Sequence, residues 1–334
     1  MTLSDVQIKQ SNNLHLIRFL AAVGVLFHHS FILSSGNLSK EWLAVLTKSQ
    51  LTFGSLCVSI FFLAGGYLIS GSAQKSRGFI PFIRRRLLRI IPPLAAVNIT
   101  VIIVCGFFSA LPLREYYCQA GTWRYLLNSV LILVHNLPGV FLDNIYTSTV
   151  NGALWTLPVE FICYILCWLI YRIFSFEKKR FAWFIPIAGA GFASAIVLKN
   201  RIPFLSAVIL PCMFFCIGMA ARVYREHIVM RGMFFAAACA VLLIFCAAGA
   251  GRIGLVLTLP YIIMYLSYAV PQVHKALGTL GNYSYGMYLC GFPLQQMIIS
   301  RYGGTMNSYL NFCIAVPLAV AGGVMVYHGI ESRL

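Results

Sequence analysis

Ten runs of mostly apolar residues fill this chain: 14–34, 51–71, 90–111, 151–173, 181–198, 204–221, 232–249, 253–270, 283–300 and 308–327. Each approaches the ~20 residues that a helix needs to cross a hydrocarbon core. A bilayer leaves the backbone only helices or closed barrels, and these runs have helix length, not strand length. The expected fold is therefore an all-α polytopic membrane protein with about ten transmembrane helices. The spans use up the 334 residues, so 1–334 reads as a single membrane domain. Only 10% of the residues are charged, against about 25% in a soluble domain, and the mean hydropathy is +0.83.

The net charge of +17 would suggest a nucleic-acid partner in a soluble protein. Here the basic residues gather in loops, where they set orientation and face anionic lipid heads, and no nucleic acid is expected. With residue 1 in the cytoplasm, 17 of the 25 Lys and Arg residues fall inside, including Arg84, Arg85, Arg86, Arg89, Lys178–Arg180, Arg222, Arg225 and Lys275. The other eight, Lys199 among them, fall outside. The positive-inside rule thus favours both termini in the cytoplasm, with 125–137 not crossing. That stretch contains Asn128, His135 and Asn136 and is short for a span, so it reads as re-entrant or interfacial. The polar start, MTLSDVQIKQSNN, lacks the features of a secretory signal.

Polar groups inside apolar runs each need a reason. Arg18 and His29 share the first run; their spacing returns to within about 20° of one helical face, about 16 Å apart along the axis. His28 points some 100° away. Of the eight acids only Glu160 falls within a predicted span, two residues after Pro158. Four arginines crowd FIRRRLLRIIPPL at 82–94, where Arg86 and Arg89 lie on one face and guanidinium forks would suit phosphate. The Gly65–Gly66 pair is either a helix break or a place where helices approach closely. The 11 cysteines, among them Cys163, Cys167, Cys212 and Cys216, have no acid or histidine at metal-ligand spacing and read as packing residues; no metal is expected.

In chain order, these residues resemble the acyltransferase-3 family of integral membrane acyltransferases. Arg18…His29 matches its R-x10-H pattern, and CVSIFFLAGGYLI at 57–69 is similar to its second-span signature. RRLLRIIP at 85–92 resembles the RxxR motif, and LWTLPVEFICY at 154–164 the W-[ST]-L-x-x-E motif, carried by Trp155 and Glu160. YSYGMYLCGFPLQQ at 283–296 resembles the late S-Y-x-x-Y-L segment, carried by Tyr285 and Tyr288. YHGIES at 327–332 resembles the Y-x-x-I-E ending, carried by Glu331. One departure is Gly291, where many members carry histidine two residues before the proline, here Pro293. The extracytoplasmic esterase-like domain fused to some members is not expected.

The resemblance implies acetyl transfer from acetyl-CoA, as donor substrate without a bound cofactor, to a hydroxyl of a bacterial surface glycan. It looks most like the O-antigen O-acetylases that modify lipopolysaccharide and convert serotype, in the bacterial inner membrane. Arg85, Arg86 and Arg89, with Arg18, are then the candidate ligands of the CoA phosphates. His29 is the candidate general base, an imidazole suited to deprotonating a hydroxyl near neutral pH. Glu160 is its candidate carboxylate partner. Trp155, Tyr285, Tyr288 and Glu331 are candidate acceptor-binding or structural residues. A transporter or flippase for a glycan or anion is the rival reading, and purified protein that turns over acetyl-CoA in detergent would exclude it.

Overall fold

The computed structural model describes residues 1–9, 12–147, 149–198, 200–273 and 279–334; Lys199 and Lys275 lie outside them. Among the described residues the chain is helical, with three isolated β-bridges and no strand. In order, the helices are α1 (Leu3–Lys9), α2 (Leu14–Ser35), α3 (Trp42–Leu46), α4 (Phe53–Gln74), α5 (Phe79–Cys105), α6 (Leu113–Cys118) and α7 (Ala120–Arg124). There follow α8 (Thr156–Phe174), α9 (Lys178–Phe181), α10 (Phe184–Leu198), α11 (Pro203–Val223), α12 (Gly232–Ala247), α13 (Gly251–Met264), α14 (Ser284–Arg301) and α15 (Ser308–Gly329).

Eight helical stretches are long and apolar enough to cross a membrane. Of the ten expected, 232–249 shortens to the 16 residues of α12, which ends before Gly249 at φ +81°. The other, α14, has span length in its 18 residues, but Gln295, Gln296 and Arg301 lower its hydropathy. The arginine cluster does not precede its helix. It forms the first turns of α5, which runs from Phe79 through Pro92 and Pro93. Two prolines remove two ladder bonds, yet the helix continues. The hydroxyl of Tyr285 donates to the Ile90 carbonyl at 3.0 Å beside the proline pair.

Packing divides the chain into two compact units. Unit 1 comprises 1–18, 55–84 and 159–278. Its tightest contact joins α4 to α11. A Cβ on Gly66 would lie 2.0 Å from the Phe215 carbonyl oxygen, and one on Gly218 would lie 2.2 Å from the Leu63 oxygen. The glycine pair is thus a close helix approach, and α4 passes through it unbroken. Cys163 and Cys212 meet on the α8–α11 face with sulfurs 3.8 Å apart, a packing contact between free thiols. Lys178 Nζ lies 2.6 Å from Glu226 and holds that exposed carboxyl below the usual carboxylate range.

The single turn of π-helix at Tyr265–Ala269, after α13, leaves carbonyls open, and buried Asn13 serves them. Its Nδ2 donates to Leu266, Val270 and Pro271, its Oδ1 accepts from Val273 N–H at 3.0 Å, and its own N–H donates to Ser267. Asn13→Ala removes the four side-chain bonds to these part-buried groups, at a cost of about 2 kcal/mol. The expected result is a lower midpoint of thermal aggregation in detergent.

Unit 2 comprises 19–54, 85–158 and 279–334. The helix pair α14–α15 packs through glycine: a Cβ on Gly286 would lie 2.8 Å from Gly323 Cα. Its polar core is two amide clusters. Gln295 Nε2 donates to the Leu26 carbonyl at 2.8 Å and to Asn311 Oδ1 at 2.9 Å. Gln296 Nε2 donates to the carbonyls of Tyr146 and Thr149, each at 2.8 Å, while Asn144 donates to Gln296 Oε1 at 2.9 Å.

The segment at 125–137 is a 3-10 turn, Tyr125–Val130, followed by irregular chain through a left-handed Leu131. Buried Asn128 organises it by bonding Tyr125 O and both polar groups of the Val134 backbone. A short bridge, Asn136 to Thr149, ties it to the chain before α8.

Candidate active site

The candidate base sits near the outer end of α2 as that end was expected from the charge pattern. His29 is partly buried, its Nδ1 wholly so, and that nitrogen has no hydrogen-bond partner among the described residues. Its ring meets Phe292 of α14 edge to face at 5.1 Å and stands 5.8 Å from the His28 ring. Phe292 belongs to an apolar cluster with Leu33, Ala153 and Ile299. It fits because Gly152 faces it: a Cβ there would lie 2.9 Å from the ring. The turn Gly152–Trp155 is capped by Asn151, whose Oδ1 accepts from Ala153 N–H and whose Nδ2 reaches the Leu289 carbonyl of α14. His135, exposed, places Nδ1 3.4 Å from the Asn151 carbonyl.

The two tyrosines of the late segment hold backbone. Tyr285 anchors α14 on α5, and Tyr288 shares a 2.6 Å bond with Thr156 while donating to the Ala153 carbonyl at the entry to α8. Trp155 is half-buried beside this turn. Glu331, also half-buried, opens a 3-10 turn after α15. Gly291 packs on Leu26, whose Cδ1 would lie 2.7 Å from a Cβ there. A histidine at this place has no ready room.

The proposed partners divide between the units. Arg18 and Glu160 belong to unit 1, and His29, Arg85, Arg86, Arg89, Trp155, Tyr285, Tyr288 and Glu331 to unit 2. Glu160 accepts a hydrogen bond from the hydroxyl of Tyr164, one turn on. Arg85 and Arg89 are exposed and one turn apart on α5, and Arg86 is half-buried.

The carboxylate that does stand beside an imidazole is Glu41, which the sequence places in a loop. It is fully buried, accepts the Phe53 N–H at 2.7 Å, and lies 3.4 Å from His28 Nδ1. Its signal was faint: one of few acids in the chain, directly before the apolar stretch WLAVL. Among the described residues no group of three or more His, Cys, Asp and Glu could hold a metal ion.

A multi-pass membrane protein with paired imidazoles near one helix end is the class so far defined. The acyltransferase-3 family, described as an acyltransferase domain, matches residues 11–328, and the chain belongs to that family. It is similar to an O-acetyl transferase of Shigella phage Sf6, 27% identical over 305 residues that make up 87% of this chain and 86% of the phage protein. Nodulation protein 10 of Rhizobium leguminosarum bv. viciae is 28% identical over 65% of this chain and 61% of its own length. Acyltransferase MdmB of Streptomyces mycarofaciens is 27% identical over 47% of this chain and 37% of its own length. No solved structure matches the chain. The protein is an acyltransferase.

Proposed function

We propose that the protein moves an acetyl group from acetyl-CoA to a hydroxyl of a bacterial surface glycan, with the O-antigen of lipopolysaccharide as the acceptor. The observation that carries this reading is the near full-length similarity to a phage O-acetyl transferase, joined to an imidazole pair in the same chain as an exposed arginine turn. We infer ten membrane passages with both termini in the cytoplasmic compartment, α12 and α14 supplying the two spans of lower hydropathy or length. The segment 125–137 then lies at the outer interface.

In this reading Arg85, Arg86 and Arg89 take the donor's phosphates, because phosphate cannot enter hydrocarbon cheaply and guanidinium forks match its oxygens. Arg18 is kept as a further candidate ligand of the donor. The pantetheine arm leads the thioester inward. His29 removes the proton of the acceptor hydroxyl as its oxygen bonds the thioester carbon. The C–S bond then breaks, and the imidazolium returns the proton to the leaving thiolate. Glu160 is kept as the proposed second catalytic residue, and Trp155 and Glu331 as acceptor-binding or structural residues.

The test is expression in a bacterium whose O-antigen is defined and unacetylated, followed by proton NMR of the polysaccharide. A new O-acetyl methyl signal is the expected result, and the ring proton that shifts with it identifies the hydroxyl. Absence of that signal, together with no CoA release from acetyl-CoA by the purified protein in detergent, overturns the reading. CoA release without the signal moves the acceptor to another glycan.

A further inference from the structure

Glu41 sits outside the predicted spans, yet none of its side chain is exposed. An ionised carboxylate in such a place needs compensation. Part comes from Phe53, whose N–H is the first of α4 and donates to Oε1 at 2.7 Å; a helix N-terminus favours an anion. His28 Nδ1 lies 3.4 Å from the same oxygen, where a neutral Nδ1–H can donate to it. The other oxygen, Oε2, is buried without a partner.

A carboxylate only accepts hydrogen bonds. In the neutral ring, an Nδ1–H turned to Glu41 leaves Nε2 as the acceptor. The ring rests on Gly54 of α4, where a Cβ would lie 2.5 Å from Cδ2, 2.6 Å from Nε2 and 2.8 Å from Cγ. Glycine keeps a side chain off it, and His28 stays 16% exposed. His29 next to it has no such orienting partner. The two imidazoles thus differ: one is committed to a single tautomer by Glu41, and one is not.

We propose that Glu41 is a positioning residue that fixes His28 Nε2 as the acceptor for a second hydroxyl of the sugar, so that the site recognises a vicinal diol. Adjacent sugar hydroxyls stand about one hydrogen-bond length apart. With a further bond of about 2.8 Å from each oxygen to an imidazole nitrogen, the pair bridges rings whose centroids are 5.8 Å apart. One hydroxyl faces His29 and reacts; its neighbour donates to His28 and sets which hydroxyl that is. This rests on the acetyl-transfer reading above for its substrate.

The experiment uses the full chain with histidine labelled with nitrogen-15, in detergent, with His28 assigned by difference from His28→Gln. Wild type should show His28 protonated at Nδ1 and unprotonated at Nε2, and the reverse pattern overturns the proposal. Two variants are assayed with acetyl-CoA and the O-antigen glycan. Glu41→Gln and His28→Gln should each raise KM for the glycan at least tenfold, leave KM for acetyl-CoA unchanged, and spread the acetyl signal over two neighbouring hydroxyls. His28→Gln keeps Glu41 in place, so it serves if Glu41→Gln fails to fold. Unchanged glycan KM and regiochemistry in both variants also overturn the proposal. No transfer by wild type overturns the acetyl-transfer reading instead, and the diol assignment with it.

Discussion

His29→Ala protein is expected to reach the membrane and survive extraction as wild type does, and to transfer acetyl groups at least about 100-fold more slowly. The first half follows from packing. His29 Nδ1 has no hydrogen bond to lose, and its ring contacts are an edge-to-face meeting with Phe292 and the neighbouring His28. Loss of such an aromatic contact costs about 1 kcal/mol, and alanine is a better helix former than histidine. The second half follows from chemistry, since a sugar hydroxyl is a poor nucleophile without a base. The measurement is the O-acetyl methyl signal of the polysaccharide, normalised to the amount of protein in the membrane. An undiminished signal would remove His29 from the reaction and leave His28, already oriented by Glu41, as the imidazole to test.

Gly66→Val should leave no detergent-stable protein. The valine Cβ itself, not a movable side-chain tip, would lie 2.0 Å from the Phe215 carbonyl oxygen and 3.1 Å from the Met219 nitrogen. No rotamer relieves a clash at Cβ, so α4 and α11 must separate. Separation also opens the reciprocal contact of Gly218 on Leu63. Without a hydrophobic drive between helices in lipid, this close packing is what holds them together. A loss above 4 kcal/mol is expected. The neighbouring Gly65→Ala is the control. Its Cβ would lie 3.6 Å from the edge of the Phe215 ring, an ordinary contact, and its size-exclusion profile in detergent should match wild type. A normal profile for Gly66→Val would show that the crossing is looser than the α4–α11 geometry states.

The membrane helices were legible because hydropathy is a local property: 14–34 became α2 and 308–327 became α15 with small changes at the ends. Boundaries failed where a rule about single residues was overruled by packing. The apolar run starts at 90 because the arginines before it break its hydropathy, whereas α5 begins at Phe79 and carries the arginines on its own first turns. The family motifs gave His29, Glu160, Tyr285 and Tyr288 as a set, but the two tyrosines serve backbone carbonyls at Ile90 and Ala153. Glu41 was illegible for a physical reason. Its burial is made by Phe53 and His28, residues with no periodic relation to it, and a carboxylate in a loop carries no mark of being enclosed.

The amides of α14 bear on how the protein is made. A helix with Gln295, Gln296 and Arg301 is a poor candidate for lateral release from a translocation channel on its own hydropathy. Among the described residues its glutamines find acceptors at Leu26, Tyr146 and Thr149, all synthesised earlier, and at Asn311, synthesised just afterwards. The expected consequence is that α14 inserts as a hairpin with α15, and that substitutions at Asn311 or Asn144 lower the yield of membrane-inserted protein before they lower activity per molecule.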